Sequence, residues 1–170
     1  MKLELVALSS AHADILSALH ADSAEMPWNA ESFASLLRHR HRFGWLATVE
    51  EEPAGYILVQ AVAGEAEILS LAVQPALQGR KIGRCLVERA LKEVPLRGAR
   101  RLLLEVATSN TRALALYAAL GFRRIGERRA YYQRRGGLED ALVMAYVCDE
   151  RPLPAVGRPA GGRSERKPEI

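Results

Sequence analysis

Apolar and polar residues change their spacing repeatedly along this chain, and each change marks an element. Residues 2–8 alternate like a strand, and residues 10–22 put His12, Ile15, Leu16 and Leu19 on one helical stripe. Asn29 caps a second predicted helix whose apolar face is Phe33, Leu36 and Leu37. Two strand-like runs, 43–49 and 54–62, flank the polar turn EEEPAG and predict a hairpin. Residues 67–73 follow as a further strand, with Leu69, Leu71 and Val73 expected on one face.

Beyond Pro75 a helical period returns over 82–94, with Ile82, Leu86, Ala90 and Val87, Leu91, Val94 forming the apolar side. Residues 101–107 read as a buried strand. Asn110 then caps a helix through Leu120, which Gly121 closes in the left-handed conformation. Residues 122–131 and 140–147 predict two closing strands. The pattern implies an α+β (α/β) fold, a mixed central β-sheet flanked by about four helices.

A chain of 170 residues is one domain's worth, and 49% hydrophobic residues suffice for a core. The last twenty residues hold four Pro and three Gly with little to bury, so they read as a flexible basic tail over 151–170. That leaves 1–150 as the domain. The formal net charge of +4 is unevenly placed. Residues 1–70 carry 4 bases and 10 acids, residues 71–135 carry 15 bases and 4 acids, and residues 136–150 carry four acids alone. The central block therefore stands at +11. It suits a phosphate-bearing ligand better than nucleic acid, unless it is merely solvated. Cys85 and Cys148 are too few for a disulfide framework and lack metal-type spacing. No signal-like start and no apolar run near the roughly 18 residues of a bilayer span is present. A cytoplasmic chain with no membrane and no metal is expected. The run Arg38-His39-Arg40-His41-Arg42 reads as a solvated helix end, with contact to RNA or a metal held by its two histidines as the alternatives.

The segment LAVQPALQGRKIGRCLVERAL joins a buried strand to an amphipathic helix through a turn containing Gly79 and Gly83. Such a junction aims unpaired backbone N–H groups at one spot, at the positive end of the helix dipole. Arg80, Lys81 and Arg84 add charge there. These are the parts of a pyrophosphate site, and equally those of a glycine turn with solvated bases. The turn matches neither a P-loop nor a dinucleotide-binding GxGxxG.

The string Gln78-Gly79-Arg80-Lys81-Ile82-Gly83 resembles the acetyl-CoA loop of the GNAT acetyltransferases, Q/R-x-x-G-x-G/A, with Lys81 standing where the middle glycine belongs. LEVATSNTRALALYAALGF, from Leu104 to Phe122, is similar to the next GNAT element. MPWNAESF and RRAYYQRRGGLEDALVM narrow the likeness to the RimI-type ribosomal-protein N-terminal alanine acetyltransferases, over residues 1–147.

The resemblance implies the GNAT (acyl-CoA N-acyltransferase) fold and acetyl-CoA as cosubstrate. It also implies direct transfer in a ternary complex to a protein N-terminus, most simply the alanine of a ribosomal small-subunit protein, by a monomer or weak dimer. It assigns Glu105 as general base and Tyr117 as proton donor to the leaving thiolate. Backbone groups of Leu71, Ala72 and Val73 are then expected along the pantetheine arm. Gln78, Gly79, Arg80, Lys81, Ile82, Gly83 and Arg84 are expected at the diphosphate, with Asn110 also touching the cofactor. Trp28, Tyr131 and Tyr132 are candidates for the peptide groove, with core packing as the alternative for each.

The residues themselves bear on these roles. Glu105 is the sole acid in the run LLLEVA, where an acid is costly without a purpose. Tyr117 lies seven residues after Asn110, nearly two helical turns, so both look the same way. Pairing of Glu105 with an arginine and core packing of Tyr117 are the competing reading. Two other functions stay open: acetylation of lysine side chains or small amines, and acyl-CoA binding without catalysis. Cys85 is expected to pack, not to react.

Overall fold

Seven strands and four helices alternate along residues 1–148, the part that the computed structural model describes. In chain order they are β1 (Leu3–Ala7), α1 (Ala13–Ala21), α2 (Ala30–Leu37), β2 (Arg42–Val49), β3 (Glu52–Val62), β4 (Glu65–Val73), α3 (Ile82–Glu93), β5 (Arg101–Ala107), α4 (Thr111–Ala119), β6 (Arg123–Arg134) and β7 (Gly137–Val147). The expected tail over 151–170, and the domain end at 150, lie outside the described residues.

One sheet takes the order β1-β2-β3-β4-β5-β7-β6. Every neighbouring pair is antiparallel except β4 and β5, whose parallel pairing follows from the crossover through α3. That parallel pairing is short. It joins only Glu65–Glu67 to Arg101–Leu103. Past it, β4 stays paired to β3 as far as Val73, while β5 stays paired to β7 as far as Ala107. The sheet therefore forks, leaving one edge of β4 bare beside the start of α3.

A bulge in β4 helps set the fork. Val59 pairs with Ile68 and Leu58 with Ser70, so Leu69 is an extra residue in the ladder. Leu69 packs with the α1/α2 core, whereas Leu71 and Val73 pack with the α3/α4 core. The expectation that these three share a face is thus corrected, because strict alternation holds only in an unbroken ladder.

Two cores cover the two faces of the sheet. Ile57, Ile82, Leu86, Leu104 and Tyr117 belong to the α3/α4 side, and Leu16, Phe33, Tyr56 and Leu58 to the α1/α2 side. Each fully buried side chain of this kind contributes roughly 1.5–3 kcal/mol.

The first helix differs from its predicted stripe. Residues Ser10–His12 form a separate turn, in which His12 Nδ1 accepts from Ser9 N at 3.0 Å. The buried face of α1 is Ala13, Leu16, Leu19 and His20. The closing hairpin also runs further than its alternation showed, since Gln133 pairs with Leu138 and Arg134 with Gly137 although most of these residues face water.

Candidate active site

The turn between β4 and α3 is built by two left-handed residues. Gly79 has φ +82° and Lys81 φ +65°, ψ 9°, with helical geometry starting at Ile82. A left-handed conformation is free for glycine but costs a lysine about 1 kcal/mol. The turn is tied down from both sides. Gln78 Nε2 donates to Val73 O at 3.3 Å, and Gln78 Oε1 accepts from Arg112 at 2.6 Å. Arg112 lies in the first turn of α4, whose cap Asn110 accepts from Ala113 N at 3.1 Å. Two helix N-termini, those of α3 and α4, thus face one space.

That space is a cavity of about 640 Å³ beside the fork of the sheet. Leu71, Ala72 and Val73 of the bare β4 edge line it, with Gln78, Gly79, Lys81, Ile82, Gly83 and Arg84 of the turn. Asn110 and Tyr117 line it from α4. Arg80 is exposed and is the one residue of the expected turn that does not line the cavity. Gly83 is close-packed, since a Cβ there would stand 3.4 Å from Leu116. Ser23, Leu77, Arg112, Ala113 and Leu116 complete the wall and were missed from the sequence. Ala113, Leu116 and Tyr117 extend the helical period that begins at Asn110, a signal that finds the α4 wall once the cap is taken as its origin.

Tyr117 is fully buried, and its hydroxyl has no hydrogen-bond partner among the described residues. Burial pushes the phenol well above its ordinary pKa of 10, so it stays protonated and can only donate or accept as a neutral group. Leaving such a group unsatisfied costs about 1–3 kcal/mol. A group with that penalty, standing at a cavity wall, is placed to meet something bound.

Glu105 sits on β5 opposite Val143 of β7. Its neighbours Leu104 and Val106 turn into the α3/α4 core, so its own side chain emerges on the other face. It is 5% exposed and lies outside the cavity lining. Oε1 pairs with Arg128 Nε at 2.6 Å, while Oε2 is buried without a hydrogen-bond partner among the described residues. The arginine pairing weighed from the sequence is therefore present, and it occupies one oxygen of two.

The three candidate aromatics part company. Tyr132 is 5% exposed and donates to Glu105 O at 3.0 Å, which supports the strand. Tyr131 is half-buried, edge-on to Tyr132, with the Arg128 guanidinium 5.5 Å from its ring. Trp28 stacks on His20 and meets Phe33 edge-on. Glu25, in the loop after α1, accepts from Arg135 N at 3.2 Å and so links that loop to the β6–β7 turn. Among the described residues no three or more His, Cys, Asp or Glu side chains gather to hold a metal, and no helix is long and apolar enough to cross a membrane. Cys85 and Cys148 are both free and partly buried, and burial raises the Cys148 thiol pKa.

Residues 13–122 match the family model described as acetyltransferase (GNAT) family. The chain is 37% identical over 134 residues to the ribosomal protein bS18-alanine N-acetyltransferase of Escherichia coli, covering 78% of this chain and 90% of that one. It is 33% identical over 123 residues to the enzyme of the same name from Haemophilus influenzae, covering 71% and 82%. The crystal structure of the Escherichia coli ribosomal-protein-S18-alanine N-acetyltransferase matches at a TM-score of 0.80 and 30% identity, over 95% of this chain and 100% of that one. Arabidopsis thaliana NAA60 in complex with acetyl-CoA matches at a TM-score of 0.79 and 18% identity, over 86% and 98%, a likeness of fold alone.

Proposed function

This chain belongs to the GNAT acetyltransferase family, and from that premise we propose that it transfers acetyl from acetyl-CoA to the α-amine of an N-terminal alanine on a ribosomal protein. The observation that carries the reading is the cavity at the forked sheet, in a chain similar to the bS18-alanine enzymes of two bacteria. Its wall offers what acetyl-CoA requires: a bare strand edge, a row of backbone N–H groups, and a buried hydroxyl lacking a partner.

In this reading Leu71–Val73 hydrogen-bond the pantetheine arm as a strand would. The N–H groups of the turn up to Gly83 take the diphosphate, helped by the charges of Lys81 and Arg84. Acetyl-CoA supplies an activated acyl group when bound. Glu105 takes a proton from the incoming ammonium, through water, with Oε2 as the receiving atom. The amine nitrogen forms its bond to the thioester carbon, and the carbon–sulfur bond breaks as Tyr117 hands its proton to the departing sulfur. The surplus proton on the nitrogen passes to the Tyr117 oxygen and restores the phenol. No covalent acyl-enzyme is formed. An α-amine is the fitting acceptor, because its pKa of roughly 7.7–8.0 makes the proton easy to remove. A lysine near 10.4 asks about 3 kcal/mol more for the same neutral fraction.

The test uses two peptides of one basic sequence, one with a free N-terminal alanine and one with that amine blocked and a lysine inside. Thiol release from acetyl-CoA is followed with each. Acetylation of the free alanine alone is expected. Equal rates on the blocked peptide would overturn the α-amine assignment, and acetyl-CoA binding without turnover on either would leave only a binding module.

A further inference from the structure

Resting on the assignment of Glu105 as base, we infer that a bulge in β6 acts as a clamp that sets that carboxylate, with Arg128 as its positioning residue. The ladder between β6 and β7 pairs Arg128 with Ala141 and Tyr132 with Glu139. Three residues, Arg129, Ala130 and Tyr131, thus stand opposite Asp140 alone. Ala130 adopts φ +50°, a conformation unusual for a residue with a Cβ, and its N–H donates to Asp140 Oδ1 at 2.7 Å. Such bulges re-aim side chains. Here two extra residues keep the phase of the strand, so Arg128 and Tyr132 end as neighbours on one face.

Both grip the same residue. The Arg128 guanidinium reaches diagonally across β7, from its own row with Ala141 and Ala107 to the row of Val143 and Glu105, and closes on Glu105 Oε1 at 2.6 Å. Tyr132 is buried with exactly those two alanines, and its hydroxyl holds Glu105 O at 3.0 Å. Side chain and backbone of Glu105 are thereby fixed together from a strand two places away in the sheet.

The contact is more than a surface ion pair in its asymmetry. Glu105 is 5% exposed, yet the Arg128 side chain is 53% exposed, and only one carboxylate oxygen is used. A buried ion pair repays its desolvation only when further hydrogen bonds satisfy the remaining lone pairs, and Oε2 has none among the described residues. With Oε1 anchored, the carboxylate cannot rotate freely, and Oε2 is left as the oxygen presented to the acceptor. Because Arg128 is largely in solvent, removing it opens no hole in the core.

The test compares Arg128→Met, Arg128→Lys and Glu105→Gln with the double variant Arg128→Met/Glu105→Gln, after each is shown folded by its circular dichroism. Steady-state kinetics are measured with the free-alanine peptide and acetyl-CoA each varied in turn while the other is saturating. Arg128→Met is expected to lower kcat on the order of 10- to 100-fold while KM for acetyl-CoA stays unchanged. Lysine restores part of the loss, since it returns the charge without the fork. In the Glu105→Gln background the Arg128→Met change costs no further rate. An unchanged kcat in Arg128→Met, or losses that multiply in the double variant, would overturn the clamp. Full turnover in Glu105→Gln would instead overturn the base assignment on which it rests.

Discussion

Acidification should destabilise this protein through one histidine. His20 lies on the buried face of α1 at 1% exposure, between Trp28 and Phe33. Its Nδ1 is 2.9 Å from Tyr56 Oη, which in turn is 2.7 Å from Ser70 Oγ, and its Nε2 is buried without a partner among the described residues. Burial holds the imidazole neutral, with its pKa lowered from 6.5 to about 4. The unfolded chain therefore binds a proton that the folded chain refuses between those two values. Stability rises with pH across that window, and is lost as pH falls below 6.5 until about pH 4. At 1.36 kcal/mol per unit the loss is about 2 kcal/mol at pH 5 and about 3 kcal/mol at pH 4. Urea unfolding at pH 7 and pH 5 measures it, with His20→Phe as the control that cannot titrate and leaves the Tyr56–Ser70 contact in place. Glu139 does not interfere. Burial works to raise its pKa, but hydrogen bonds from Ser109 and Arg134 outweigh that and hold it at about 2, so its contribution fades only below 4.5. An equal loss between pH 7 and pH 5 in both proteins would refute the assignment to His20.

Tyr117→Phe should cut kcat by 10-fold or more, as roughly expected for loss of a proton donor, while thermal unfolding occurs at the same or a higher temperature. Removing a buried hydroxyl without a partner removes its desolvation penalty, so a clear fall in melting temperature would show that the hydroxyl has a hidden bond. Lys81→Gly should be about 1 kcal/mol more stable than Lys81→Ala in urea, because alanine keeps the Cβ in a left-handed residue and glycine does not. Equal stabilities would contradict the positive φ. Asn110→Ala should lose about 1 kcal/mol from the missing cap and weaken acetyl-CoA binding in a calorimetric titration, and full stability would exclude the Ala113 bond as a working cap.

What could be read from the sequence was local. The phosphate turn, the Asn110 cap and the placement of Tyr117 depend on spacings of a few residues, and each element holds its residues in one frame. The α1 stripe shows where that reasoning slips. The same 3.6-residue period that selects Leu16 and Leu19 selects both His12 and His20, and only the start of the helix at Ala13 decides that His20 is the buried one. The Leu69 bulge was invisible because alternation assumes an unbroken ladder, and its cause is the register against β3. Arg128 is further still from reach, since its approach to Glu105 depends on a bulge in β6 and on the register of β7 between the two strands. Nothing near residue 105 in the sequence announces it.

Seven of the fifteen bases between residues 71 and 135 are held in ion pairs within the protein. Arg84, Arg89, Arg97, Arg101, Arg124, Arg128 and Arg134 all pair with carboxylates. Four of those pairs run along a helix or within one strand and have partly exposed partners, where an ion pair contributes about 1 kcal/mol or less. A hydrogen bond from a backbone N–H to a charged group contributes roughly 1.5–3 kcal/mol, and the turn before α3 presents several at once. On the proposed function, a diphosphate bound there would be held by the backbone path through Gly79 and Lys81 more than by the formal charge around it. This explains how lysine can stand where the family pattern has glycine. The N–H is what the site needs, the left-handed φ is adopted at a cost of about 1 kcal/mol, and the side chain's charge offsets part of that cost only when an anion is bound.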